Sequence, residues 1–182
     1  MDYSILGWPG DGPTLHLDHE RFAYAGKFVL PSTGKAVARE DNVIVAAAAF
    51  DADRTDGTCL RVRYVTVRDD RREAGIGPRL LALVVDRARD RGFADVKAGV
   101  NNPLAYEAFY KSGLAYTGER TGLAELVCEW PAPDGRSGAR YRAGLDRFRA
   151  PEREPSEVER AFLETREGAA PPPVDADGTV RN

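Results

Sequence analysis

Between a strand-like run and a helix-like run this chain places Arg72-Glu73-Ala74-Gly75-Ile76-Gly77, and few backbone arrangements accommodate that order. The run before it, Leu60-Arg61-Val62-Arg63-Tyr64-Val65-Thr66-Val67, alternates and is rich in β-branched residues, as a strand does. The run after it, Pro78 to Arg91, sets Leu80, Leu81, Val84, Val85 and Ala88 on one helical stripe. Strand, glycine turn and helix N-terminus together form an anion-binding arrangement. The first helical turn leaves backbone N–H groups without partners, and the helix dipole adds partial positive charge there. Gly75 and Gly77 permit positive φ and close approach of a bulky phosphate. The expectation is a phosphorylated cofactor held at this turn.

Composition removes several competing classes. The chain has 182 residues, 42% of them hydrophobic, enough for one ordinary core with extra terminal material. Its formal net charge of −3 offers no basic field for nucleic acid and does not favour an anionic membrane surface. Two cysteines, Cys59 and Cys128, sit in strand-like runs and read as buried thiols in a reducing compartment. Residues 1–12 lack the charged and apolar regions of a signal peptide, and no apolar run approaches the ~20 residues that span a bilayer. The expected location is therefore cytoplasmic. The cysteines lie far apart without ligand-spaced partners, so no metal is expected. No Gly-Lys-Ser/Thr follows the glycines, which excludes a Walker-type loop. A dinucleotide fold would want an acidic residue where the next strand ends in Val100-Asn101.

Along the chain, residues 1–13 read as a loose lead-in and Thr14–Asp18 as a short first strand. Asp18–Lys27 reads as a helix capped by Asp18, although Phe22, Tyr24 and Phe28 also alternate. Lys35–Glu40 and Val43–Phe50 read as strands around a tight turn at Asp41-Asn42, followed by the strand from Leu60 to Val67. The helix Pro78–Arg91 opens on a proline, whose missing N–H had no partner there, and closes on Gly92. Asp95–Val100 reads as a strand, Leu104–Lys111 as a helix stopped at Gly113, and Leu123–Trp130 as a strand. Pro131-Ala132-Pro133-Asp134-Gly135 breaks the pattern. Amphipathic helices follow over Tyr141–Arg149 and Ser156–Glu167, the second with a Ser156/Glu159 capping box. This order gives a mixed sheet with helices on its faces. The expected domains are 1–133 as the core, 134–167 as a helical extension and 168–182 as a disordered tail.

The order Arg-x-x-Gly-x-Gly after an alternating strand resembles the acyl-CoA pyrophosphate loop of the GNAT superfamily of N-acetyltransferases. Val100-Asn101-Asn102-Pro103-Leu104-Ala105-Tyr106-Glu107-Ala108-Phe109-Tyr110-Lys111-Ser112-Gly113-Leu114 is similar to a second segment of that superfamily. The resemblance covers roughly residues 34–130. It implies an α/β fold with a mixed, mostly antiparallel sheet splayed at its central strands, helices on both faces, and acyl-CoA in the wedge. It implies acetyl-CoA as co-substrate, with Arg72 and the amides of Ala74, Gly75 and Gly77 on the pyrophosphate, and the backbone at Val65, Thr66 and Val67 along the pantetheine arm. Asn102 would hydrogen-bond that arm, cap the following helix, or do both. The family's proton donor to the departing thiolate is commonly a tyrosine. A gapless reading puts Phe109 at that position, and a one-residue shift brings in Tyr110, the favoured candidate. The general base stays unnamed. The acceptor is a small-molecule or peptide amine, in a cleft either open or completed by a second subunit in a homodimer. The alternative is a non-catalytic CoA or acyl-CoA sensor, kept alive by Phe109.

Overall fold

The computed structural model describes residues 1–150 and 153–172, and the chain divides into two compact units, Met1–Val96 and one that begins at Lys97. In the first unit four strands run consecutively and antiparallel: β1 (Asp2–Gly7), β2 (Gly34–Glu40), β3 (Val43–Ala52) and β4 (Cys59–Val67). β2 and β3 close on Asp41 and Asn42, both in the left-handed region with φ 49° and 65°. Positive φ at both central residues is what a two-residue hairpin requires, because its twist then matches that of the strands. Ala46 to Ala49 are fully buried, and such small side chains let covering segments approach both faces of β3.

One face is covered by α1 (Ile76–Asp90), which buries Leu80, Leu81, Val84, Val85 and Ala88. Its end is a double αL closure: Phe93 N–H donates to Ala88 O at 3.1 Å and Gly92 N–H to Arg89 O at 2.9 Å, with Gly92 at φ 86°. On the opposite face Leu15 and Phe28 pack on Val37, Ala47 and Ala49. A buried lysine, Lys35, fastens the loop before β2 by donating to Leu30 O (2.7 Å), Thr33 O (2.8 Å) and Thr33 Oγ1 (2.6 Å).

The second unit carries the rest of β5 (Asp95–Val100), then α2 (Pro103–Lys111), β6 (Ala115–Arg120), β7 (Leu126–Trp130), α3 (Gly138–Phe148) and α4 (Glu157–Thr165). β6 and β7 pair antiparallel. The described strands and helices make the mixed α/β fold with mostly antiparallel pairing that the sequence implied.

Five sequence readings need correction. The lead-in holds β1, whose register on β2 (Tyr3 opposite Ala38) supplies what its own glycine and proline content does not. Thr14–Asp18 is not a strand. Asp18–Lys27 is not a helix either: Asp18 accepts from the Glu20 amide, Tyr24 turns left-handed at φ 60°, and only a 3₁₀ turn forms over Ala25–Val29. β6 escaped notice because only Ala115 and Tyr116 are buried and its outer half is polar. β7 starts later than Leu123, since Thr121 Oγ1 accepts the Leu123 and Glu125 amides and Ala124 turns left-handed. Of the tail expected to be disordered, residues 173–182 lie outside the described residues.

Replacing Asn42 by valine forces a β-branched side chain into φ 65° and should cost about 1–2 kcal/mol, whereas Asn42→Gly should cost nothing. Urea midpoints of the two variants decide this, and equal midpoints would contradict the turn assignment.

Candidate active site

The turn that leaves β4 is pinned before it reaches the glycines. Arg68 N–H donates to Val45 O at 2.9 Å and Asp69 N–H to Arg21 O at 3.0 Å. A 3₁₀ turn over Asp69–Arg71 follows. Arg68 grips Asp70 through two hydrogen bonds of 2.5 and 3.0 Å, Arg71 pairs with Glu40, and Arg72 pairs with Asp69 at 2.5 Å. Beyond this anchor the chain enters the left-handed region at Glu73 (φ 65°) and again at Gly75 (φ 72°). Only the second was legible in the sequence, because glycine marks it. A glutamate held there costs about 1–2 kcal/mol, a strain tolerated where the backbone must face a particular way.

Gly75 is the N-cap of α1, without a side-chain cap and with no acidic residue in the first turn. No acceptor among the described residues takes the amides of Ala74, Gly75, Ile76 or Gly77. Arg79 N–H is the first to turn back, to Gly75 O at 3.4 Å. A side chain at Gly75 would meet open space, while one at Gly77 would touch Val67 Cγ2 at 3.4 Å, so the turn lies against β4 on one side and opens on the other. The result is an uncompensated helix terminus with several parallel donors, suited to two adjacent phosphoryl groups.

β4 carries a bulge. Ala49 stands opposite Tyr64 and Phe50 opposite Val62, which leaves Arg63 as the extra residue. The bulge puts Tyr64 and Thr66 on the face shared with Ala49 and Ala47, and Val65 and Val67 on the α1 face. Thr66 is 4% exposed, and its Oγ1 has no hydrogen-bond partner. An orphaned buried hydroxyl is uncommon and fits a strand that expects a ligand. Arg61 and Arg63 pair with Asp53 and Asp51 respectively.

In the second unit Asn102 caps α2, its Oδ1 accepting the Ala105 amide at 2.8 Å. Tyr106 stacks on Tyr141 of α3 with ring centroids 5.8 Å apart, and Tyr110 packs against the same ring at a tilt, 4.7 Å away. Tyr106 donates its hydroxyl to Tyr141 O at 3.1 Å, and Tyr141 donates its own to Glu107 Oε2 at 2.9 Å. The Arg136 guanidinium lies 4.2 Å over the Tyr110 ring and interacts with its hydroxyl oxygen. Burial pushes the pKa of Glu107 up, yet hydrogen bonds from Arg166, Lys111 and Tyr141 outweigh it and hold the carboxyl at about 2. The sequence reading passed over Glu107. Lys111 four residues on was a visible hint; Arg166 was not.

Residues 4–114 match the model of the acetyltransferase (GNAT) family. The chain belongs to the GNAT acetyltransferase family. No curated protein matches it. Among solved structures it is similar to a GNAT-family protein from Desulfovibrio desulfuricans (16% identity, TM-score 0.47, 53% of this chain and 68% of that one). It is also similar to PaiA N-acetyltransferase from Thermoplasma acidophilum, solved with coenzyme A (15%, 0.45, 52% and 58%). A third is YncA from Salmonella typhimurium, solved with acetyl-CoA (18%, 0.47, 58% and 68%). The match thus spans only 58% of the PaiA chain.

In this GNAT acetyltransferase the family match stops at Leu114, so β6, β7, α3 and α4 follow the matched segment. No helix of the described residues is long and apolar enough to cross a membrane. Among the described residues no group of three or more His, Cys, Asp and Glu is placed to hold a metal ion.

The Glu107 network makes a pH prediction. Its carboxyl in the fold lies below the ordinary value of 4.5, so its stabilisation is fully present above about 4.5 and is lost as pH falls toward about 2. Thermal unfolding of the wild type should weaken more steeply than that of Glu107→Gln between those limits; parallel profiles would refute it. Glu107→Ala should cost about 3–5 kcal/mol at neutral pH, since the cationic partners lose their carboxylate.

Proposed function

We propose that this GNAT acetyltransferase moves an acetyl group from acetyl-CoA to a primary amine by direct attack in a ternary complex. The observation that carries the reading is the row of amides from Ala74 to Gly77 with no acceptor among the described residues, before a first helical turn without acidic residues. A diphosphate is the ligand that such a row suits best. Gly75 opens toward it, and the orphaned Thr66 hydroxyl marks the strand that would lie along the pantetheine arm.

Acetyl-CoA supplies an activated acetyl group as a thioester. The amides of Ala74, Gly75 and Gly77 hold the diphosphate, and Arg72 adds positive charge, exchanging part of its pairing with Asp69. The backbone of Val65, Thr66 and Val67 binds the arm as an added strand would, and an N–H there stabilises the oxyanion that forms when the amine attacks. Asn102, already the cap of α2, orients the arm with the donor it has left. Tyr110 gives its hydroxyl proton to the departing sulfur. Of the three clustered tyrosines it is the one whose hydroxyl proton has no acceptor among the described residues. Holding both reactants together accounts for ~7–11 kcal/mol of barrier lowering. Neither Cys59 nor Cys128 forms a disulfide, as suits a reducing cytoplasm.

Titration calorimetry with coenzyme A should give a clear binding heat, and a ligand at ~100 times its dissociation constant should stabilise the fold by about 2.7 kcal/mol. Gly75→Val, which places a branched side chain at φ 72° in the cradle, should abolish that heat. Tyr110→Phe should bind coenzyme A as the wild type does yet release thiol ~10²–10⁴-fold more slowly with the best amine of a panel. Binding without turnover on any amine would overturn the reading in favour of a sensor.

A further inference from the structure

α2 has nine residues, too few to be stable alone, since isolated helices below ~12–15 residues are marginal in water. It is gripped at three points by residues 136–166, all beyond the family match. At its start Arg153 donates to Asn101 O at 3.0 Å and is itself held by Glu159 at 2.5 Å. At its end Arg136 donates to Tyr110 O at 2.7 Å while covering that ring. In its middle Glu107, 4% exposed, receives two hydrogen bonds from Arg166 (2.6 and 2.9 Å), one from Tyr141 (2.9 Å) and one from Lys111 (2.6 Å). α3 presses so closely on this face that a Cβ at Gly144 would stand 2.2 Å from the Tyr106 hydroxyl.

A carboxylate with all its acceptor sites filled from three directions prevents a helix from rolling about its axis. That roll has a chemical consequence here. Phe109 and Tyr110 are successive residues, turned ~100° apart around the helix, and only one carries a transferable proton. We propose that α3 and α4 form a brace that sets the rotation of α2, with Glu107 and Arg166 as positioning residues for Tyr110. The proposal rests on the acetyltransfer reading. It deepens that reading by giving the C-terminal helices a role in the reaction. The brace residues belong to the second unit, whereas the anchors of the diphosphate turn all lie in the first. Coenzyme A affinity and turnover should therefore separate.

The test compares wild type, Arg166→Ala, Arg166→Lys and Glu107→Gln in the full chain, by amide exchange over residues 103–111, calorimetry with coenzyme A and thiol release with the best amine. Arg166→Ala should exchange faster across α2 and lose about tenfold or more in kcat, with coenzyme A affinity within about twofold of wild type. Arg166→Lys should recover part of both losses, because it restores the charge without the two-pronged grip. Wild-type kcat and exchange in Arg166→Ala would overturn the brace, and so would equal losses of affinity and turnover, which mark general destabilisation. Should Glu107→Gln fail to fold, the Arg166 pair decides, since that side chain is 31% exposed at the edge of the network. A wild type that binds coenzyme A but acetylates nothing overturns the acetyltransfer reading and this role with it. Faster α2 exchange in Arg166→Ala would still show the mechanical grip.

Discussion

The proposed cofactor site depends on a few backbone amides, Ala74 to Gly77, that have no acceptor among the described residues. A folded protein satisfies nearly all its buried N–H groups, and helix starts are normally covered by a Ser, Thr, Asp or Asn side chain. α2, α3 and α4 obey that rule through Asn102, Ser137 and Ser156. α1 does not: a glycine stands where the cap belongs, and the first turn holds no carboxylate. The cost is tolerable because the turn is fastened from behind, by Val45 and Arg21 carbonyls and by ion pairs from Arg68, Arg71 and Arg72. The amides are thus held ready rather than flexing to find water.

The sheet of the first unit serves the same end. Four alanines make β3 thin enough to be covered on both faces, and the extra residue in β4 switches which side chains face α1. Without the bulge Thr66 would share a face with α1. With it, the hydroxyl turns to the side where Leu15 and Phe28 pack. Register, more than residue type, therefore determines which side chains of this strand face α1.

The second unit solves a different problem. A nine-residue helix cannot fix its own orientation, and the solution is electrostatic as well as apolar. Glu107 is desolvated, which alone would favour its neutral form, yet three donors keep it ionised and immobile. Buried charges of this kind add little net stability against an apolar substitute. What they add is uniqueness of position, which the proton donor proposed on this helix would need.

The sequence by itself determined the elements whose signals are local. The Asp41-Asn42 turn, the stripe of α1 closed at Gly92, the Asn102 and Ser156 caps, and the glycine turn all follow from neighbouring residues, so each was readable without the rest of the chain. The family-bearing segments are of this kind too. Tertiary structure decided what depends on partners distant in sequence. β1 became a strand because β2 lends it a register, and β6 because β7 pairs with it. Glu107 acquired its importance from Arg166, 59 residues away, and Thr66 its orphaned hydroxyl from a bulge one strand cannot announce alone. Local sequence records backbone preference, whereas pairing, burial and charge compensation exist only once the chain has closed on itself.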